Sequence, residues 1–540
     1  MDRPESQDRF GRVREGLREA VPSLLGVVSG VLALLLLSPV AWVLLRASEV
    51  DLARATSLIL SADTLEIAVN SLVLVGLVTG GSILVGVPLA VLTVQTDLPF
   101  RRFWTVVVAL PLVIPSYIGA FTFVSAFGPR GVLQGILSPL GIEQLPTVYG
   151  LHGATLVLVL FTYPYVYLTT RASLRSFDGT VVEAARTLNH TRWQAFRRVT
   201  LPQIAPGIAA GSLLTALYTL SDFGTPQIMR YDVFTRMIYV EYINRNRGFA
   251  ALLSVLLLVV TLAVLLSESR INASREGAHV SKRGRRPGRI ELGQWKWPSL
   301  GFCSLVSLLG LAVPLGILVM WLFRSSPGYV GGGFAFEWGY AYNSVFVAGA
   351  AALAAVLVTL PIAYLSARGD SPLVSLPERA TYVGYAMPGV VLGLSLVFLG
   401  LKYVNVLYQT VALLVFAYVV RFVPQAVGTL ESSILQVDPK HVEAARSMGD
   451  GPVRSFARVV LPQVSPGVFA GAALVFLTTM KELPATLLLR PAGFETFVTY
   501  IWQVQEQGYY GQAAVPALVL VAVSGLSMLV ILGRERIDVT

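Results

Sequence analysis

Two stretches of the 540-residue sequence are copies of one another. Residues 182–207 read VEAARTLNHTRWQAFRRVTLPQIAPG, and residues 442–467 read VEAARSMGDGPVRSFARVVLPQVSPG. They are identical at 13 of 26 positions and lie 260 residues apart. Upstream the spacing is 273, so that Asn70-Ser71 corresponds to Asn343-Ser344 and Pro115 corresponds to Pro388. These spacings indicate a tandem duplication with one such stretch in each half.

The composition is typical of an integral membrane protein. Apolar residues make up 54% of the chain and charged residues only 13%, and the mean hydropathy is +0.67. A soluble fold could not bury so much apolar surface, which excludes disordered, collagen-like and ordinary cytosolic proteins. The single cysteine, Cys303, excludes an intramolecular disulfide and a multi-thiolate metal site. The four histidines are scattered without ligand spacing, so no metal site is assigned.

Apolar runs predict an all-α fold with about twelve transmembrane helices, since a spanning helix needs about 20 apolar residues. The runs are 22–45, 65–93, 103–127, 151–170, 207–224, 248–267, 299–323, 342–367, 380–401, 407–427, 467–487 and 512–533. With the duplication they predict two parallel six-span halves, 22–267 and 299–540, after a cytoplasmic tail at 1–21. The first run is too long for a signal peptide, so we expect it to be a retained anchor.

The distribution of basic residues predicts the orientation. With both termini in the cytoplasm, 29 of the 41 lysines and arginines fall on the cytoplasmic side and 11 outside. The positive-inside rule therefore predicts a multi-pass plasma (inner) membrane protein, N-in and C-in. The net charge of +10 then needs no nucleic-acid partner. The basic segment 268–298 is expected to be a flexible cytoplasmic linker or, alternatively, a patch for anionic membrane lipid.

Each repeated stretch predicts a short helix, a tight turn and a second helix. In the second copy Asp438 can cap the first helix, and Pro439 suits its first turn. Gly449 fits the left-handed turn that ends it. Leu461-Pro462 is expected to end the second helix, because proline interrupts helical hydrogen bonding. The equivalent residues of the first copy are Asp178, Asn189 and Leu201-Pro202.

These stretches resemble the EAA loop of ABC importer permeases, in which Glu-Ala-Ala is followed by three residues, a glycine and a downstream Leu-Pro. In that family the loop forms a coupling helix that docks into a cytoplasmic ATPase. The resemblance implies a duplicated type I importer fold and the docking residues Glu183, Ala184, Ala185, Asn189, Pro202, Glu443, Ala444, Ala445, Gly449 and Pro462. Asn189 departs from the family pattern, although asparagine also tolerates a left-handed turn. The alternative is that the loop only packs on its own helices.

The chain lacks the sequence needed to hydrolyse ATP. None of its five lysines follows a glycine, so it contains no phosphate-binding G-K-[ST] motif. No nucleophile–base constellation is present either, and the chain is not expected to be an enzyme or to bind a cofactor. The resemblance implies two copies of a separate ATPase subunit, which would use ATP and Mg²⁺, and an extracytoplasmic solute-binding protein.

Two further segments bear on the substrate. Residues 219–229 read TLSDFGTPQIM and residues 479–490 read TMKELPATLLLR, which aligns Asp222 with Glu482. Both segments resemble ferric-iron importer permeases, although thiamine, polyamine and phosphonate permeases are close relatives. Acids within a membrane are candidate functional residues, and Fe(III) prefers oxygen ligands, so Asp222 and Glu482 could line the substrate path. Alternatively, Asp222 caps a helix end and Lys481 neutralises Glu482.

Two other classes of protein share parts of this pattern. An ion-coupled secondary transporter also often has twelve spans in two parallel halves, and its intramembrane acids would carry protons. A membrane scaffold or receptor would need no transport path. The duplicated docking stretch favours the ABC importer over both classes, and association with an ATPase would distinguish them.

Overall fold

The computed structural model describes residues 24–128, 131–141, 147–176, 187, 191–276, 290–324, 336–367 and 372–537. These described residues form helices and no β-strand, apart from one isolated parallel bridge between Thr96 and Ile290. The predicted all-α fold is confirmed. The tail at 1–21 lies outside the described residues.

The described residues of the first half form twelve helices. They are α1 (Leu24–Ser48), α2 (Leu52–Ile59), α3 (Ala62–Gln95), α4 (Arg101–Val107), α5 (Ser116–Phe127), α6 (Val132–Leu137), α7 (Leu151–Ser176), α8 (Arg192–Ala195), α9 (Leu201–Ser221), α10 (Gly224–Ile228), α11 (Phe234–Ile243) and α12 (Arg247–Glu276) within the described ranges. The 3₁₀ turns Leu110–Val113 and Ser138–Leu140 follow α4 and α6. Helix α12 thus extends nine residues into the segment predicted as linker.

The second half has the same alternation of long and short helices. Its described residues form α13 (Lys296–Ser307), α14 (Val313–Phe323), α15 (Trp338–Ser366), α16 (Pro372–Ala386), α17 (Gly389–Lys402), α18 (Val411–Ile434), α19 (Pro439–Ser447), α20 (Pro452–Ser455), α21 (Leu461–Met480), α22 (Pro484–Leu489), α23 (Phe497–Glu506) and α24 (Tyr510–Ile537). A 3₁₀ turn, Gly293–Trp295, precedes α13.

Nine helices of the described residues are long and apolar enough to cross a membrane, and two bent pairs could each form one further span. The bent pairs correct the third and ninth predicted spans, 103–127 and 380–401, which are not single helices. They bend by 94° and 102°, and the helix after each bend begins immediately after Pro115 or Pro388. A proline lacks an N–H and disfavours a helical residue before it, so the helix stops there and restarts in a new direction.

The fifth and eleventh predicted spans also differ from the helices observed. Continuous helix runs over Phe196–Ser221 and Val453–Met480, because a π-turn (Phe196–Thr200 or Phe456–Val460) joins each short helix to the long one. The prediction that Leu201-Pro202 and Leu461-Pro462 end a helix is therefore wrong. In the second π-turn the N–H of Leu461 bonds back five residues to Phe456, and this wider spacing accommodates a proline in the next turn.

The chain divides into two compact units, and each draws on both halves of the sequence. One unit comprises Met1–Ala41, Phe346–Tyr385 and Val415–Thr479, and it contains the second repeated stretch. The other comprises Trp42–Val345, Ala386–Leu414 and Met480–Thr540, and it contains both intramembrane acids. The predicted boundaries of the halves stay a prediction from the sequence duplication.

The end of the basic linker is fixed to the end of α3. The N–H of Ile290 donates to the Gln95 carbonyl (2.8 Å), and the N–H of Asp97 donates to the Ile290 carbonyl (3.1 Å). The Asp97 carboxylate accepts from Lys296 Nζ and from the N–H of Leu292, both at 2.9 Å. These two bonds hold the pKa of Asp97 below its ordinary value, so the attachment persists at neutral pH and weakens only as the carboxylate becomes protonated in acid.

Candidate functional site

The second repeated stretch forms the predicted capped helix. Helix α19 begins at Pro439, and the Asp438 carboxylate accepts the N–H of Lys440 at 2.9 Å. A carboxylate at this position satisfies an N–H that has no partner within the helix, and it interacts favourably with the positive end of the helix dipole. The predicted cap and first-turn proline are confirmed for this copy.

A left-handed glycine ends α19, as the sequence predicts. Gly449 has a φ of 93°. Its N–H donates to the Arg446 carbonyl (3.0 Å), and the N–H of Asp450 donates to the Ala445 carbonyl (3.1 Å), which is the Schellman pattern. The Asp450 carboxylate then contacts Arg454 and Arg458, each at 3.4 Å. The turn thereby fixes the direction in which the chain leaves α19.

The two faces of α19 have different surroundings. Val442 belongs to an apolar core with residues of α15, α18, the second π-turn and α21, namely Ala363, Leu430, Ile434, Val437, Val460 and Val464. Ala445 is also buried, whereas Glu443 and Ala444 are exposed. The Glu-Ala-Ala motif therefore presents one alanine to its own unit and the other to the outside. Met448, which is 81% exposed, continues this outward face and was not among the predicted docking residues.

The first repeated stretch is only partly described. Glu183, Ala184, Ala185 and Asn189 lie outside the described residues. The chain is described again from Thr191, whose hydroxyl accepts the N–H of Gln194 (3.2 Å), while the Gln194 side chain accepts the N–H of Thr191 (3.0 Å). This reciprocal capping box starts α8. Pro202 lies in the first turn of α9, just as Pro462 lies in the first turn of α21.

The turn at Gly449 leads to a prediction that compares the two copies. Gly449→Val should destabilise the end of α19 by about 1–2 kcal/mol, because a β-branched residue is strained at positive φ. Asn189→Gly should be nearly silent, because glycine adopts the left-handed turn more easily than asparagine. The measurement is substrate uptake at equal membrane abundance. Loss of uptake with Asn189→Gly and full uptake with Gly449→Val would contradict this interpretation of the turn.

The first intramembrane acid lies where α9 ends. Asp222 is half-buried, and its Oδ1 accepts the hydroxyl of Ser116 at 2.6 Å while its Oδ2 accepts the N–H of Thr225 at 3.0 Å. Tyr218 donates its hydroxyl to Ser116 Oγ (3.1 Å), and Thr235 donates to the Asp222 carbonyl (2.7 Å). Asp222 therefore caps the short helix α10 and links it to the start of α5. The capping role considered from the sequence is confirmed.

The second acid lies in the equivalent place after α21. Glu482 is buried, and its Oε1 accepts the N–H of Ala485 (3.3 Å) at the start of α22. Its carbonyl accepts the hydroxyl of Thr486. The same carboxylate lies against Gly389, where an added Cβ would meet Oε1 at 2.3 Å. Gly389 corresponds to Ser116 at the spacing of 273, so both acids cap a short helix beside the residue that follows the bend proline.

Each half contributes one of the two acids to the same compact unit. Among the described residues no salt bridge joins Lys481 to Glu482, which disfavours neutralisation by the adjacent lysine. The described residues also contain no group of three or more His, Cys, Asp or Glu side chains that could hold a metal ion. The Asp222 carboxylate and the hydroxyls of Ser116 and Tyr218 form a hydrogen-bonded group of oxygen atoms rather than a closed metal site.

Comparison with known proteins gives the family. Residues 82–272 and 359–534 each match the family described as the inner membrane component of binding-protein-dependent transport systems. The matched regions make up more than half of the chain, and each contains one repeated stretch and one intramembrane acid. The chain belongs to this family. It is a multi-pass inner-membrane permease subunit of an ABC importer, with the duplicated type I fold that the sequence predicted.

Individual relatives are consistent with this assignment. The permease is 31% identical over 491 residues to the Fe(3+)-transport system permease protein FbpB 2 of Haemophilus influenzae, which covers 90% of this chain and 94% of that protein. It is 23% identical over 483 residues to the ferric transport system permease protein FbpB of Actinobacillus pleuropneumoniae, covering 84% and 69%. The molybdenum transport system permease protein ModB of Escherichia coli is 27% identical over 202 residues, which is 36% of this chain and 87% of that protein.

Proposed function

We propose that this permease translocates ferric iron. The observation that carries the proposal is the match over nine-tenths of the chain to a relative named as an Fe(3+)-transport permease. The molybdenum relative matches only 36% of this chain, whereas the two iron relatives match 90% and 84% of it. Ferric iron is a hard cation, and the oxygen atoms around Asp222 and Glu482 are the ligand type that such a cation prefers.

The proposed transport cycle depends on partner proteins. Two copies of an ATPase subunit, using ATP and Mg²⁺, would bind the exposed faces of the two repeated stretches on the cytoplasmic side, with both chain termini on that side. A solute-binding protein on the opposite side would deliver iron. ATP-driven closure of the ATPases would bring the docking helices together and open the path outward, and hydrolysis would restore the inward-facing state. The permease itself would bind no cofactor.

The substrate assignment is tested by uptake in proteoliposomes. The permease is reconstituted with its ATPase and binding protein, and ATP-dependent accumulation of radiolabelled iron is measured. We expect iron uptake and no uptake of molybdate or sulfate. Uptake of thiamine, a polyamine or a phosphonate in place of iron would assign the permease to one of the related importers. ATP-independent uptake driven by a proton gradient would indicate a secondary transporter instead.

We also propose that Asp222 and Glu482 line the iron path in addition to capping α10 and α22. Their position supports this role, because each acid follows the span that leads from a docking stretch and both acids belong to the same compact unit. The continuous helix from Phe196 to Ser221 places Asp222 about 39 Å along the helix axis, whereas a helix that began at Gly207, as the predicted span does, would place it at about 22 Å. The acids would therefore lie near the end of the path remote from the ATPases.

Asp222→Asn separates the charge from the cap. Asparagine has nearly the same shape, and its amide can accept the N–H of Thr225 while donating to Ser116 Oγ. We therefore expect unchanged membrane abundance and ATPase retention but iron uptake reduced at least several-fold, and a larger loss when Glu482→Gln is added. Asp63→Asn, at the exposed start of α3, is the control for loss of one negative charge. Normal uptake by Asp222→Asn would remove Asp222 from the path.

A further inference from the structure

The residues that follow the two acids are also repeated, but at a spacing of 263 residues instead of the 260 and 273 found elsewhere. Arg230 and Gly493, 263 residues apart, both have positive φ (54° and 77°). Arg245 and Gly508 are a second such pair, with φ of 64° and 82°. Between these turns lie α11 and α23, which have ten residues each and are preceded by residues of nearly identical φ and ψ. We call residues 222–245 and 482–508 the connecting segments.

In the first half, Asn70 and Ser71 of α3 hold the first connecting segment. Asn70 Nδ2 donates to the Asp232 carbonyl at 3.2 Å, and its Oδ1 accepts the hydroxyl of Tyr231 at 3.1 Å. Ser71 Oγ accepts the N–H of Phe234 at 3.0 Å. Phe234 is the first residue of α11, so its N–H has no partner within that helix. The buried serine of α3 therefore caps α11 from a different helix.

The second half contains the same contacts. Asn343 Nδ2 donates to the Glu495 carbonyl at 2.8 Å, and Ser344 Oγ accepts the N–H of Phe497 at 2.8 Å. Phe497 is the first residue of α23. In both copies the serine donates its own proton to the carbonyl four residues earlier, which leaves its oxygen lone pairs for the incoming N–H. The Asn-Ser pair that marks the duplication in sequence thus makes one repeated contact in space.

Each connecting segment is consequently attached at two points. Its beginning is held by the acid cap, through Ser116 on Asp222 in the first copy and through the packing of Gly389 on Glu482 in the second. Its middle is held by the Asn-Ser pair of a long helix. An ion pair also lies at the second attachment point of each segment: Arg236 of α11 pairs with Asp232 in the first copy, and Arg490 pairs with Glu495 in the second. A displacement of α3 or α15 would therefore be transmitted to α11 or α23.

We propose that Asn70-Ser71 and Asn343-Ser344 are positioning residues of the transport cycle, which make α11 and α23 move together with α3 and α15. The inference rests on the proposed function in that it assumes alternating access, but it does not depend on iron as the substrate. The buried bonds of Ser71 and Ser344 to backbone N–H groups suit this role, because they keep their partners aligned and are costly to leave unmade. The asparagine bonds beside them are exposed in the first half and half-buried in the second, and they add to the alignment of the turn. In this arrangement the acids at the start of each connecting segment are positioned by both attachments.

The test measures the distance between α3 and α11 directly. Spin labels are attached at Leu65 and Ile243, which are 65% and 58% exposed, in the Cys303→Ala permease bound to its ATPases in lipid nanodiscs. We expect the same narrow distance distribution without nucleotide and after trapping with ATP and vanadate. In the Asn70→Ala/Ser71→Ala variant the distribution should broaden, with the detached population rising roughly fivefold for each hydrogen bond lost. Substrate moved per ATP hydrolysed should fall in parallel.

A matched control exists on the same helix. Ser82 of α3 contacts Thr162 (3.2 Å) in the buried interface with α7, and the second half has Ala355 at the equivalent position. Ser82→Ala should leave the distribution narrow, and Ser71→Thr, which keeps the hydroxyl, should restore much of what Ser71→Ala loses. If the double alanine variant does not insert, Asn70→Asp removes the donated bond, keeps an acceptor for Tyr231 and adds one negative charge. A distribution as narrow in Asn70→Ala/Ser71→Ala or Asn70→Asp as in Ser82→Ala would overturn the proposal. Absence of iron uptake by the wild type would instead contradict only the substrate assignment.

Discussion

Ala444→Trp is expected to abolish retention of the ATPase subunit that docks on the second repeated stretch, without changing the amount of permease in the membrane. Ala444 is exposed on α19, between Asp438 and the turn at Gly449. A small side chain allows the partner to approach the helix backbone, and an indole would hold the two surfaces apart. Loss of one central contact of an interface costs at least about 2 kcal/mol, so retention should fall more than about tenfold.

The neighbouring alanine provides an internal comparison. Ala445→Trp should instead reduce the thermal stability or abundance of the permease, because Ala445 is buried beside the core that contains Val442. Ala53→Trp, at an exposed position of α2, is the control for adding an indole to the surface. ATPase retention by Ala444→Trp equal to that of Ala53→Trp would remove α19 from the docking surface and favour the alternative that it only packs on its own unit.

The docking helix shows what local sequence can predict. The cap at Asp438, the proline at the first position and the left-handed turn at Gly449 depend on contacts within five residues, and all three are confirmed. Which alanine faces outward depends on where the core residues Leu430 and Ile434 lie, and those residues belong to another helix. A helix of nine residues carries too few apolar positions for periodicity to decide the buried face alone.

The spans show the same division between local and distant causes. Hydropathy located the long helices, but it is insensitive to direction and therefore combined the two arms of each bent pair. The helices break at Pro115 and Pro388, yet four other repeated prolines, Pro88, Pro164, Pro361 and Pro424, lie inside continuous helices. Whether a proline breaks or is accommodated depends on whether neighbouring helices and altered turns satisfy the freed backbone groups.

The contacts of the Asn-Ser pairs could not be predicted, although the pairs were recognised as a repeat. Their partners lie more than 150 residues away, in connecting segments whose spacing of 263 differs by three from that of the acids. Arg230 and Gly493 share a left-handed φ but no side-chain chemistry, so sequence identity gives little signal there. The correspondence between the two connecting segments becomes visible in the sequence only when they are aligned on Phe234 and Phe497.

Gly389→Ser combined with Glu482→Asp should transfer the first half's acid site into the second half. Each single substitution is expected to be damaging. A Cβ at Gly389 would meet Glu482 Oε1 at 2.3 Å and Pro484 Cγ at 2.9 Å, so Gly389→Ser forces the buried carboxylate aside, at a cost of about 1–3 kcal/mol. Glu482→Asp shortens the side chain and withdraws its oxygen from the N–H of Ala485, leaving a buried donor without its partner, at a similar cost.

The double variant should recover most of this loss, because the first half already contains the matched pair. There Ser116 donates to Asp222 Oδ1 at 2.6 Å while Oδ2 accepts the N–H of Thr225, so a serine and the shorter acid together satisfy both the hydroxyl and the helix cap.

The measurement is the thermal stability of the four permeases of a double-mutant cycle, with iron uptake as the second readout. The coupling free energy should be about 1–3 kcal/mol in favour of the pair. Gly349→Ser, where no atom lies within 4 Å of an added Cβ, is the control for placing a serine in a membrane helix. Additive losses in the double variant would contradict this expectation, because they would mean that the surroundings of the two acids differ. The second half would then need the longer side chain of Glu482 for a reason other than the space left by Gly389.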